Sequence, residues 1–161
     1  MINATKQWLS SVFEMKGMGE GRYVLEVEIV RDRPRKLLGL CQKAYIEKVL
    51  ERFRMHYSKP VDTPVDKGLN LSLEQCPMTD DEKQKMSNVP YASVVGSLMY
   101  AILCTRPDIC FAVDLVIRYQ SNPGTVHWQA VKRIMRFLRG TIDLVLCYQG
   151  GDILVLTGVV T

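Results

Sequence analysis

Apolar positions along the chain change period several times, and the changes mark its elements. Between Pro90 and Gly140 three helical patterns are separated by Arg106-Pro107 and by Ser121-Asn122-Pro123-Gly124. In the last of them Trp128, Val131, Ile134, Met135 and Leu138 share one face at helical spacing, while Lys132, Arg133, Arg136 and Arg139 fall on a separate arc. One side of this helix packs and the other presents positive charge. Thr125 is its expected cap and Gly140 its end. The first pattern starts at Asn88 and Pro90, with Tyr91, Val94, Val95, Leu98, Met99 and Ile102 on a broad apolar face. Its other side is small: Ser93, Gly96, Ser97 and Ala101. The middle pattern restarts with Pro107 in the first turn and places Ile109, Ala112, Val116 and Tyr119 together.

Upstream, Asn3 is expected to cap a helix from about Ala4 to Phe13 with a stripe of Trp8, Leu9 and Val12, ended by Gly17, Gly19 and Gly21. Tyr23 to Val30 alternates and predicts one strand with Tyr23, Leu25, Val27 and Ile29 on its buried face. The turn Asp32 to Arg35 leads to a partner strand, Lys36 to Cys41. From about Ala44 the period is helical, and Tyr45, Ile46, Val49, Leu50 and Phe53 form an apolar arc expected to pack on this hairpin. No period is sustained in residues 55–77, where Pro60, Pro64 and Pro77 interrupt the backbone, so the stretch is a long ordered connection or a domain boundary. Thr79 caps a short helix, Asp80 to Met86, whose Asp80-Asp81 complements the helix dipole and is not a metal pair. Leu144 to Tyr148, a turn at Gln149 to Asp152, and Ile153 to Leu156 predict a terminal hairpin. The class is α+β: an N-terminal β-hairpin with amphipathic helices, a helical bundle, and a terminal β-hairpin.

Composition changes this picture little. The 161 residues are 47% apolar and 24% charged, enough for one sizeable core or two small ones. The five cysteines lack Cys-x-x-Cys spacing and there are only two histidines, a poor zinc set, so the thiols are read as reduced. There is no basic leader followed by an apolar run, which argues against secretion and for an intracellular location, cytoplasm or nucleus. Ser87 to Thr105 is uncharged, but Asn88, Pro90, Ser93, Gly96 and Ser97 make it a buried helix with no membrane partner.

Charge distribution says more than the net +4. Residues 31–59 carry nine Lys or Arg against three acids, and residues 60–89 carry three against six. Two basic zones, 31–59 and 132–139, thus flank an acidic connector. The pattern suits a nucleic-acid channel or a merely solvated surface.

The wording of several stretches goes further. Tyr91-Ala-Ser-Val-Val-Gly-Ser-Leu-Met-Tyr100, Thr105-Arg-Pro-Asp-Ile109, His127-Trp-Gln-Ala-Val-Lys-Arg-Ile-Met-Arg-Phe-Leu-Arg-Gly-Thr141, Lys59-Pro-Val-Asp-Thr-Pro64 and Leu156-Thr-Gly158 together resemble the copia-type retrotransposon Pol polyprotein. The resembling part is the end of the reverse transcriptase, its thumb and connection, just before ribonuclease H. The resemblance implies a division into a palm-end remnant (1–58), a connector (59–89), a thumb and connection (90–141) and a terminal hairpin (142–161) cut short before ribonuclease H. In that family a Tyr-x-Asp-Asp turn and a further aspartate hold two Mg²⁺ ions. Tyr-x-Asp-Asp does not occur in this sequence, and Gly158-Val-Val-Thr161 stands where the ribonuclease H phrase would begin. The resemblance therefore implies no catalytic residue here, no cofactor of the chain's own, Mg²⁺ only for an intact polymerase, and no primer extension.

Two groups of site residues follow. Lys132, Arg133, Arg136 and Arg139 are candidates for holding the backbone of an RNA or DNA primer–template duplex. Tyr23, Leu25 and Glu26 occupy a primer-grip-like position, where the family has Tyr-Phe-Leu-Gly-Ile-Glu-Ile and this chain has Tyr23-Val-Leu-Glu-Val-Glu-Ile29. Glu26 in place of that glycine puts a carboxylate where a phosphate should approach. With Gly17, Gly21 and Ala92 it departs from the family pattern, as sequence decay would. His127, Trp128 and Tyr119 are read as core or cap residues. The partners implied are the primer–template duplex and the polymerase and ribonuclease H portions of the polyprotein; the alternative is a self-associating structural relic.

Overall fold

Leu25 and Glu26 both take positive φ, 50° and 63°, and reverse the chain in two residues. The expected strand Tyr23 to Val30 is therefore two strands, β1 (Tyr23–Val24) and β2 (Val27–Asp32), paired Tyr23 to Glu28 and Val24 to Val27. Positive φ at both central residues gives a turn whose twist matches the flanking strands, so it overrides the alternating pattern. The predicted common face is lost: Val27 is buried, whereas Leu25 is 79% exposed at the tip. The structure, a computed structural model, describes residues 2–16, 19–150 and, for the backbone alone, 155–160.

Strand β2 continues into β3 (Leu37–Cys41) through the expected turn, where the Arg35 N–H donates to Asp32 Oδ1 at 3.1 Å. Strand β4 (Val145–Gln149) then pairs antiparallel with β3, Gly39 opposite Cys147, and β5 (Val155–Val160) pairs with β4. The result is one antiparallel sheet in the order β1-β2-β3-β4-β5. The terminal hairpin, read as separate, completes the N-terminal one. Half of its expected turn, Gly151 and Asp152, and the first two residues of its expected second strand, Ile153 and Leu154, lie outside the described residues.

Among the described residues six α-helices accompany the sheet: α1 (Ile2–Val12), α2 (Lys43–Arg52), α3 (Asp80–Ser87), α4 (Tyr91–Cys104), α5 (Cys110–Ile117) and α6 (Thr125–Gly140). One core cluster gathers Ile46 and Leu50 of α2, Val94, Val95 and Leu98 of α4, Ala112 and Val116 of α5, and Val131, Ile134, Met135 and Leu138 of α6. Each of the Val, Leu, Ile and Met side chains so buried contributes about 1.5–3 kcal/mol. The apolar arc of α2 packs against α4 and α6, where Ile46 and Leu50 complete the bundle, and the helix meets the hairpin through Lys48, which pairs with Glu26. Residues 55–77 run over the bundle as an ordered path, with Met55, Val65, Leu69 and Leu71 packed against the same cluster.

Several helix ends differ from expectation. Helix α1 starts at Ile2, so Asn3 lies inside it, and none of its residues is buried. Asn88 closes α3, and Pro90 precedes α4. On α4, Ala101 is buried and Met99 is 41% exposed, since the small residue is the one that admits a neighbour. Helix α6 is capped by Gly124 rather than Thr125, its N–H donating to His127 Nδ1 at 2.8 Å. A Cβ on Gly124 would lie 1.9 Å from the Gln75 carbonyl oxygen, so only glycine admits this close approach. The Thr79 cap of α3 is as expected, in a reciprocal box with Glu82. Among the described residues no single helix is long and apolar enough to cross a membrane, and the five cysteines are free thiols.

Candidate nucleic-acid interface

Helix α6 divides as its sequence predicts. His127, Ala130, Val131, Ile134, Met135 and Leu138 are buried, and Lys132, Arg133, Arg136 and Arg139 lie half-buried on the other arc. The arginines are not free in solvent. Arg133 donates to the Thr63 carbonyl at 3.2 Å, the Thr63 hydroxyl at 3.1 Å and Asp66 Oδ2 at 3.2 Å. Arg136 donates through Nε to the Lys59 carbonyl at 2.6 Å, and Arg139 through Nε to the His56 carbonyl at 2.8 Å. Three guanidinium groups thus rivet residues 56–66 to α6.

This arrangement still leaves charge to present. Arg136 and Arg139 use Nε alone, so their terminal nitrogens have no partner among the described residues, and Lys132 has none there either. Lys132, Arg133 and Arg136 line a groove of about 540 Å³ between α6 and the connector, with Met55 and Leu69 as its apolar wall and Asp66 as its carboxylate. A guanidinium held by a carbonyl is fixed in place and stays fully charged, so the groove is pre-organised for anions.

The hairpin tip is held elsewhere. Lys48 Nζ donates to both Glu26 oxygens at 2.9 and 2.7 Å, and the Tyr100 hydroxyl donates to the Leu25 carbonyl. The Glu26 charge is thereby paired, while Tyr23 and Leu25 stay exposed. Contacts with α2 and α4 position this tip and contacts with the connector position the basic arc, so the structure does not bring the two groups together. The 31–59 zone is likewise dispersed: Arg31 binds the Gly21 carbonyl, Arg33 pairs with Glu20, Arg35 with Asp32, and Lys43 with Asp143. The Lys43 ammonium is held above its ordinary range by its hydrogen bond to Asp143 and that carboxylate's charge.

His127, Tyr119 and Trp128 are core and cap residues. The His127 ring is fully buried and stacked on Tyr119 at 4.0 Å, the Tyr119 hydroxyl donates to the Leu71 carbonyl, and Trp128 sits against Tyr91. Asp80 and Asp81 stand in the first turn of α3, and among the described residues no three His, Cys, Asp or Glu converge as metal ligands. Sequence reasoning missed Thr63 and Asp66, because a loop residue that meets α6 from some seventy positions away has no periodic signature. It also missed Arg106, 1% exposed and bidentate to Asp108, which was visible only as part of the phrase Thr105 to Ile109.

No family model matches the chain, and no solved structure matches it. Curated relatives do. The chain is 51% identical over 152 residues to the retrovirus-related Pol polyprotein from transposon TNT 1-94 of Nicotiana tabacum, covering 94% of the chain and 11% of that polyprotein. It is 36% identical over 141 residues to the Pol polyprotein from transposon RE1 of Arabidopsis thaliana, covering 88% of the chain and 9% of the relative. An uncharacterized mitochondrial protein of Arabidopsis thaliana is 35% identical over 142 residues, 88% of the chain and 55% of its own length. The chain spans about a tenth of the Pol polyproteins it matches and about half of the mitochondrial protein. Over most of its length the chain is thus similar to copia-type retrotransposon Pol polyproteins.

Proposed function

We propose that the chain is the thumb-and-connection part of a retrotransposon RNA-directed DNA polymerase, holding a nucleic-acid backbone without doing chemistry on it. The observation that carries this is the groove in which Lys132, Arg133 and Arg136 stand on one rigid helix, with arginines anchored to carbonyls. Such contacts position a duplex and read no bases. The hairpin tip of Tyr23, Leu25 and Glu26 takes an accessory place: its apolar side chains are exposed and its carboxylate is offset by Lys48.

A Mg²⁺ pair for nucleotide transfer does not fit the residues present. Asp80 and Asp81 stand in the first turn of a surface helix capped by Thr79, and among the described residues no three His, Cys, Asp or Glu converge as metal ligands. No step is therefore assigned to a metal. The expected outcome is no nucleotide incorporation on a primed template with Mg²⁺ or Mn²⁺, and measurable incorporation by the purified chain would overturn that part of the reading.

Binding is tested by fluorescence anisotropy with a labelled RNA–DNA duplex at low and at moderate salt. Three or four phosphate contacts predict a log–log salt slope of about −3. Absence of binding at low salt removes the proposal. A second reading, self-association, is favoured by the exposed Trp8, Val12 and Phe13 around α1 and by Leu103 and Phe111 of α4 and α5. Light scattering at the monomer mass of 18.3 kDa over a concentration series would exclude it.

A further inference from the structure

Beyond the groove, the loop after α2 presents one aromatic ring in an unusual way. Tyr57 is 96% exposed, yet the backbone on both sides of it is pinned. The Met55 carbonyl accepts from the Ser58 N–H at 3.0 Å and the Ser58 hydroxyl at 2.6 Å, and Arg139 and Arg136 hold the carbonyls of His56 and Lys59. Beneath it, the His56 ring meets Tyr57 edge to face at 4.9 Å and 90°. A mobile exposed tyrosine is unremarkable on a surface; a ring held out by a fixed loop has already lost the freedom that binding would otherwise remove.

Its surroundings are cationic. Arg54 and Lys59 are exposed, with side chains that have no partner among the described residues, and Arg136 and Arg139 reach the same loop with unused terminal nitrogens. Arg136 and Met55 also line the groove, so the loop that carries the ring adjoins it. The acidic residues closest in sequence are Glu51 and Asp62, on either side of a stretch containing Arg52, Arg54 and Lys59.

We infer that Tyr57 is a stacking platform for an unpaired nucleobase, placed where a strand leaves the duplex held along α6, with Arg54 and Lys59 taking the adjoining phosphates. The inference rests on the groove reading above and adds a single-stranded segment to the ligand. Aromatic rings accept any base, so the platform is indifferent to sequence.

The test compares a blunt RNA–DNA duplex with the same duplex carrying a short unpaired overhang, by anisotropy at low salt, for the full chain and for Tyr57→Ala and Tyr57→Trp. The overhang is expected to tighten binding about tenfold. Tyr57→Ala should abolish that gain, Tyr57→Trp should keep it, and neither should change binding of the blunt duplex. A blunt duplex that binds with no gain from the overhang, or a gain that survives Tyr57→Ala, overturns the platform and leaves the groove standing. Failure of the blunt duplex to bind overturns the groove, and failure of both probes overturns both.

Discussion

The guanidinium of Arg106 closes the last turn of α6 by donating to both oxygens of Thr141, the carbonyl at 3.1 Å and the hydroxyl at 2.7 Å. Its remaining donors grip Asp108 at 2.9 and 2.7 Å, and it lies 5.7 Å from the centre of the Phe137 ring. A helix ends with carbonyls that have no partner within the helix, and a buried fork supplies donors from the turn between α4 and α5.

Removing that fork should be costly. Arg106→Ala strips Asp108 of its donor fork and takes two donors from Thr141, whose carbonyl keeps only the Leu144 N–H, and a loss of about 3 kcal/mol is expected in urea unfolding. Arg106→Lys should recover less than half, since a single ammonium cannot serve Asp108 and Thr141 in the same geometry. A loss below about 1 kcal/mol for the alanine variant would show that the cap does not hold the bundle.

The second cap depends on pH. His127 Nδ1 accepts from the Gly124 N–H, which requires an unprotonated Nδ1. Burial lowers the His127 pKa below its ordinary 6.5, opposed by a weaker interaction with the Ser72 backbone. The unfolded chain therefore binds the proton more readily. The stability contributed is fully present above pH 6.5 and is lost as pH falls from there through the lower folded-state value. Urea midpoints measured from pH 7.5 down to 5 should fall for the natural chain, and more steeply than for His127→Ala, which starts lower and lacks the group.

What was legible in the sequence had a local cause. The buried stripe of α6 and the capped start of α3 repeat within a few residues, so their period and end signals are readable. Strand β4 pairs with β3 across about a hundred residues, and no local pattern specifies that partner. The basic arc was readable as an arc but not as a set of rivets, because its partners are backbone carbonyls, which every residue carries. Likewise the tip at Leu25 and Glu26 was hidden by an alternating pattern that continues straight through it.

That tip carries a testable strain. Glu26 at φ 63° occupies a left-handed position that costs an ordinary side chain about 1 kcal/mol and glycine almost nothing. The glycine of the family pattern thus has a conformational reason at this turn, independent of any approach by a primer. Glu26→Gly forfeits the exposed pair with Lys48, whose contribution is below about 1 kcal/mol. The net expectation is a gain of about 0.5 kcal/mol and a rise in thermal midpoint of a few degrees. A fall in midpoint would mean that the Lys48 pair outweighs the strain.

The sharpest separation of binding from folding lies within the basic arc itself. Reversing Arg133 removes three hydrogen bonds to Thr63 and Asp66 and sets a new carboxylate against Asp66, so lost duplex binding in Arg133→Glu has two causes. Stability should fall by about 1 kcal/mol alongside affinity. Lys132 lines the same groove with no partner among the described residues, so Lys132→Glu changes the charge facing a phosphate and little else. Its urea midpoint should stay within about 0.5 kcal/mol of the natural chain. Its affinity for a blunt RNA–DNA duplex should drop, and the log–log salt slope should become shallower by about one. An unchanged slope with an unchanged midpoint would remove Lys132 from the interface, while a lowered midpoint would show that its side chain supports the fold after all.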